Sequence, residues 1–205
     1  MKMCLCCGNV ETKNFRVLDH SNGEMILCIA KKECVKTEDG QLISSVVEID
    51  DMLVDTIRVL RQNDFETLFC CQGHYLGYGG TFTGDIGYIS FKIDQNDKED
   101  FKKYQLLIDN IPDMIDNFVM SYEIVSGPLG PDMLSRAIIV DKLVIRFELA
   151  KNVEILTQLD FLEQNIQMHK KLFCLIYDLI EDMEEEKYQD SLLDEEKSIK
   201  YPRLK

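Results

Sequence analysis

A chain of 205 residues with 45% hydrophobic side chains is long enough for one substantial domain, with or without a small appendage, and can fill a real core. Its 23 basic and 37 acidic residues leave a formal charge of −14, which disfavours non-specific nucleic-acid binding because that depends on a basic footprint. No apolar run approaches the roughly 20 residues that span a bilayer, and Met1-Lys-Met-Cys-Leu-Cys-Cys lacks the apolar stretch and cleavage site of a leader, so a soluble cytoplasmic protein is expected.

In that compartment eight cysteines point to metal binding or ordinary thiols before disulfides. Residues 1–40 read as a cysteine-rich hairpin module. Cys4-Leu-Cys6-Cys7-Gly8 holds the C-x-x-C-G spacing in which two thiolates converge on one metal. Two short apolar runs, Phe15–Asp19 and Glu24–Cys28, flank His20-Ser21-Asn22-Gly23, and Asn-Gly favours a tight hairpin. A cysteine pair, a hairpin and further cysteines make the layout of a small zinc ribbon. Cys4, Cys7, Cys28 and Cys34 are the candidate ligands, with Cys6 or His20 as substitutes. A standard ribbon ends in a second C-x-x-C, whereas Cys28 and Cys34 require a wider loop; the other reading is a set of buried or idle thiols. Four protein ligands would close the site and make it structural.

Residues 41–150 read as a central α+β domain, a mixed sheet with helices. An extended run covers Gln41 to Ile49, and Asp50-Asp51 offer cap carboxylates to a helix with Leu53, Val54, Ile57 and Leu60 on one face. A strand Glu66–Cys71 and a returning strand Ile86–Ile93 flank a loop with two thiols, His74 and six glycines (Gly73, Gly77, Gly79, Gly80, Gly84, Gly87). A helix is expected from Lys98 to Asn110, broken at Ile111-Pro112 and resuming as a turn through Met114 and Ile115. Phe118–Val125 reads as a strand and Gly127–Pro131 as a loop. Ala137–Val140 with Leu143–Leu149 reads as a strand, or a hairpin pivoting on Asp141-Lys142.

Residues 151–205 read as a long helix and acidic tail. Ile155, Leu159, Leu162, Ile166, His169, Phe173, Ile176, Ile180 and Met183 form one stripe, long enough either to break near Asn165 or to extend past the core and pair with a second copy. On that stripe His169 reads as a satisfied core histidine and Cys174 as packing. The tail ending Tyr201-Pro-Arg-Leu-Lys205 is expected to be loosely held.

The Cys70-Cys71-Gln72-Gly73-His74 cluster has four readings: metal ligands, a thiol nucleophile activated by His74, a ligand-binding loop, or a buried strand end with a turn-capping imidazole. Strand alternation lets only one of the two thiols face the loop, and no third catalytic partner is visible. Six glycines exceed what a hairpin needs. The binding reading therefore takes Cys71, Gln72, Gly73, His74, Tyr75, Gly79 and Gly80 as contacts to a polar ligand or a protein. Gly77-Tyr-Gly79-Gly80 lacks the strand-turn-helix setting of a dinucleotide fold.

The order of helix Asp51–Gln62, strand Thr67–Cys71, Cys-x-Gly plus a basic residue and a further strand resembles the central motif of the tRNA wybutosine-synthesis methyltransferase family. It also resembles small phage and prophage proteins that carry C-C-S-G-H after a similar helix. Coverage is about 45 residues, Asp50 to Ile93. The first resemblance places Cys71, Gly73 and His74 at the motif's Cys, Gly and Arg positions and implies S-adenosylmethionine and tRNA nearby. Against it stand Gln72 for serine, His74 for arginine and the charge of −14. The second implies no chemistry; an acidic phage protein is expected to act on host machinery or host defence by binding it. The sequence thus points to an α+β, non-enzymatic binding protein of phage or mobile-element origin that engages a host protein or a small polar ligand. An S-adenosylmethionine-dependent RNA-modifying enzyme and a structural zinc protein are the alternatives.

Overall fold

The fold was established from a computed structural model. It describes residues 1–4, 7–20, 23–31, 36–38, 41–43, 46–73, 87–128, 138–151, 153 and 157–200, with backbone alone at 18–20, 23–25, 36–38, 41–43 and 186–200. The architecture is α+β. At its centre lies a five-stranded antiparallel sheet in the order β7 (Thr67–Cys71), β8 (Gly87–Ile93), β11 (Ile139–Leu149), β10 (Phe118–Pro128) and β9 (Met114–Ile115). Three helices, α1 (Val54–Gln62), α2 (Lys98–Asn110) and α3 (Gln158–Lys200), pack together on one face.

Period-two alternation explains which face is covered. Ile89, Phe91 and Ile93 of β8 stand beside Leu143, Ile145 and Phe147 of β11, all buried. They meet Leu53, Ile57 and Leu60 around α1, Tyr104, Leu107 and Ile108 of α2, and Phe161, Met168, Leu172, Ile176 and Ile180 of α3. Phe65, Phe91 and Tyr104 form an edge-to-face triangle with centroids 5.4–6.3 Å apart, and the Tyr104 hydroxyl accepts from the Glu66 N–H at 3.1 Å. Asp97 caps α2 by accepting from the N–H groups of Glu99 and Asp100, both at 3.1 Å.

The described residues also form three two-stranded sheets: β1 (Lys2–Cys4) with β6 (Val46–Glu48), β2 (Phe15–His20) with β3 (Gly23–Cys28), and β4 (Lys36–Glu38) with β5 (Gln41–Ile43). The expected hairpin is present as the β2–β3 pairing, with His20 opposite Gly23; Gly23 belongs to β3, and Ser21 and Asn22 lie outside the described residues.

Several expectations change. Met114 and Ile115 form an edge strand instead of a helical turn, because they pair with Val119 and Phe118. Asp141 and Lys142 do not pivot a hairpin; they continue β11 and pair with β8 and β10, so β11 is one 11-residue strand. Helix α3 passes through Asn165 without a break and remains helical to Lys200, well into the segment expected to be loosely held. Residues 129–137, Ile155 and the terminal 201–205 lie outside the described residues. No helix among the described residues is long and apolar enough to cross a membrane.

Candidate functional site

The N-terminal thiols converge. Cys4 ends β1, Cys28 ends β3, and Cys7 sits in the turn between β1 and β2; the three Sγ atoms lie within 4.8 Å of one another, with Cys7 and Cys28 3.8 Å apart. The backbone makes this possible. The Gly8 N–H donates to Cys4 O at 2.8 Å and the Cys4 N–H donates to Asn9 O at 2.9 Å, wrapping the chain around the sulfurs. Gly8 holds φ +67, and a Cβ there would approach Arg58 Cγ to 2.9 Å, so the glycine of C-x-x-C-G is needed both for the left-handed turn and for the close pass of α1.

Cys4 and Cys28 are fully buried, with Cys7, Phe15 and Val46 packed around them in a small cluster separate from the main core. Burial pushes the Cys28 thiol up to about 11, and the neighbouring Cys4 and Cys7 thiols push the same way. Three soft donors at this spacing can hold a metal ion. Tetrahedral thiolate coordination at about 2.3 Å places sulfurs roughly 3.8 Å apart, the separation of Cys7 and Cys28. Of the other expected ligands, Cys34 and Cys6 lie outside the described residues, as does the side chain of His20.

The second cluster is the root of the loop between β7 and β8. Cys70 stands opposite Ile89 on the helix-facing side of the sheet and Cys71 opposite Tyr88 on the other, so the pair splits across the two faces as alternation requires. Burial, aided by Asp50 and Cys71, pushes the Cys70 thiol up to about 12, so it is protonated at neutral pH and a poor nucleophile. The Tyr88 hydroxyl is also raised, first by burial and then by the Cys71 and Cys70 thiols.

Gln72 is clamped on all sides. Its N–H donates to Asp50 Oδ2 at 2.9 Å, its Oε1 accepts from the Met52 N–H at 3.4 Å, and its carbonyl oxygen accepts from Asn165 Nδ2 at 3.0 Å. The same oxygen lies 3.0 Å from His169 Nε2. A carbonyl only accepts, so Nε2 carries the proton and Nδ1 is bare. Among the described residues Nδ1 of His169, Oδ1 of Asn165 and Oγ1 of Thr56 are buried without a hydrogen-bond partner. The chain then turns at Gly73, with φ +82.

The far end of the loop is fixed differently. Gly87 lies against the Phe147 ring, which stacks edge-on to His169 with centroids 5.0 Å apart. His169 thus touches one root of the loop by a hydrogen bond and the other through Phe147. His74, Tyr75, Gly79 and Gly80 lie outside the described residues.

Three sequence readings are corrected here. Asp50 does not cap the following helix; its carboxylate takes the Gln72 N–H, while Asp51 pairs with the N-terminal amine at 2.9 Å. His169 is buried but only half satisfied, since one ring nitrogen has no described partner. Cys174 is exposed on α3, outside the core. Asn165 and His169 were missed as loop anchors; an Asn and a His four residues apart on an otherwise apolar stripe were the available signal. Comparison with protein-family models, curated proteins and solved structures finds no match.

Proposed function

We propose that this is a zinc-binding protein in which the metal is structural and the loop between β7 and β8 is the binding element. The observation that carries the zinc reading is the convergence of Cys4 and Cys7, from one turn after β1, with Cys28 at the end of β3. Soft thiolates select zinc among the common borderline metals, and Cys34 supplies the fourth ligand in this reading, closing the site to substrate. The ion would join the β2–β3 hairpin to β1, whose Met3 belongs to the main core. A cluster of two fully buried cysteines with Cys7, Phe15 and Val46 is too small to hold that hairpin by burial alone.

Metal analysis of protein purified without chelator tests this. About one zinc per chain is expected, none in Cys7→Ser, and a large drop in melting temperature on chelation, because structural zinc contributes on the order of 10 kcal/mol to small modules. A metal-free wild-type chain with an unchanged melting temperature would refute it.

The clamped Gln72 and the packed Gly87 favour the second half of the proposal, a loop displayed on a rigid stem to contact a host protein or a small polar ligand. The raised Cys70 thiol fits binding better than thiol catalysis. Heat released on titrating S-adenosylmethionine at millimolar concentration would instead favour the enzyme alternative.

A further inference from the structure

The sheet ends in an edge that nothing described covers. Strand β9 pairs only with Phe118 and Val119, whereas β10 continues to Pro128. The Met120 N–H turns toward the β9 side and donates to Asp113 O at 2.8 Å. In an antiparallel strand the backbone groups of alternate residues point the same way, so Tyr122, Ile124 and Ser126 also direct N–H and C=O away from β11, where no described strand receives them. Helix α2 ends at Asn110, and a groove of about 430 Å³ opens beside the edge, with Ile108, Met120 and Tyr122 in its lining and the Asp109 and Asp113 carboxylates at its α2 end.

Side chains along this edge are those of an interface. Tyr122 is 62% exposed, Ile124 41% and Val125 37%, and neither lysine nor proline interrupts residues 119–127. Natural edges usually carry such residues because a bare edge pairs with whatever strand arrives. The only charge, Glu123, is held by Arg146 on the neighbouring strand of the same sheet. The strand is therefore locally neutral in a chain of net charge −14.

We propose that this edge is a self-association surface: two copies of the chain pair antiparallel through β10, centred on Ile124, and continue one sheet into the other. The strand is self-complementary about that residue. A twofold axis perpendicular to the sheet through Ile124 keeps each side chain on its own face and sets Ile124 against Ile124 of the second copy. Tyr122 then meets Ser126, and Glu123 meets Val125, so the like charges are not opposed. Because Ile124 belongs to the outward-pointing set, the central pair is a hydrogen-bonded one, and the three pairs from Tyr122 to Ser126 close about six backbone bonds. Elsewhere two such acidic bodies repel, so the neutral strand is where they can approach, and screening should strengthen the pairing.

Light scattering across a concentration series tests the proposal. The wild-type mass should rise toward two chains with concentration and with added salt. Ile124→Pro removes the central outward N–H while leaving the β11-directed ladder intact, since proline is tolerated where the N–H faces away from the sheet. It should stay a single chain at every concentration, with an unchanged circular dichroism spectrum. Should that variant fold poorly, Ile124→Lys places two like charges on the axis without touching the backbone and should weaken association at least tenfold. A wild-type chain that remains monomeric, whether or not it takes up an extended peptide, would overturn the proposal. So would a dimer that survives both substitutions, as pairing through α3 would, or one that salt dissolves.

Discussion

Replacing Gly87 by alanine tests how the loop's far end is held. A Cβ on that backbone would lie 1.7 Å from Phe147 Cε2, 2.4 Å from Cδ2 and 2.6 Å from Cζ, all well inside contact distance. The obstacle is a buried ring, not a flexible chain end: Phe147 is 1% exposed, and His169 stands edge-on to it. The ring must therefore move by roughly 1.5 Å or more, into core already packed near crystalline density. Overpacking of this kind costs about 1–3 kcal/mol, and losing the ring's seat approaches the 3–5 kcal/mol of a Phe→Ala change, so about 3 kcal/mol is expected. For a chain of this length that corresponds to roughly 6–12 °C in melting temperature. Urea unfolding of Gly87→Ala, Phe147→Leu and the double variant closes a mutant cycle. Shortening the ring should relieve most of the alanine's cost, giving strong non-additivity. A single variant within about 0.5 kcal/mol of wild type, or additive costs in the double variant, would refute the reasoning.

Two further outcomes follow from the same contacts. Burial lowers the His169 pKa, against smaller opposing influences from the Gln72 carbonyl and Asp50, so the folded chain binds fewer protons there than the unfolded chain. The stability this provides is complete above the unfolded value of about 6.5 and is lost as pH falls through the lowered folded value; His169→Gln should flatten the unfolding free energy over that range, and an unchanged slope would count against it. At the start of α2, Asp97→Ala removes the acceptor for two N–H groups and should cost about 1 kcal/mol in urea unfolding, whereas Asp97→Asn should cost much less.

Much of the fold could be read along the chain because its cause is local. The three-and-four spacing of Leu53, Ile57 and Leu60, the Pro112 stop after α2, the two apolar runs that pair as β2 and β3 and the alternation in Gly87–Ile93 each act over a few residues, and each element stands where those rules place it. The split of Cys70 and Cys71 across the sheet follows from strand geometry in the same way. Met114-Ile115 misled because two apolar residues after a proline fit a turn as well as a strand; pairing with Phe118 and Val119 decides it. Asp141-Lys142 misled because polar residues resemble a turn, yet both sit in mid-strand, where Asp141 accepts from Gln95 and Ser126.

By itself, then, the sequence determined the α+β class, the three helices, the principal strands of the central sheet other than its β9 edge, and three of the thiols that meet, since spacing and periodicity are properties of neighbours. Only the tertiary structure decided that Asn165 and His169 reach back 93 and 97 residues to one carbonyl, that Phe147 seats Gly87, and that β10 outruns its edge partner. Those contacts depend on which faces come together when the core closes, and that choice is made by the summed burial of residues far apart in the chain.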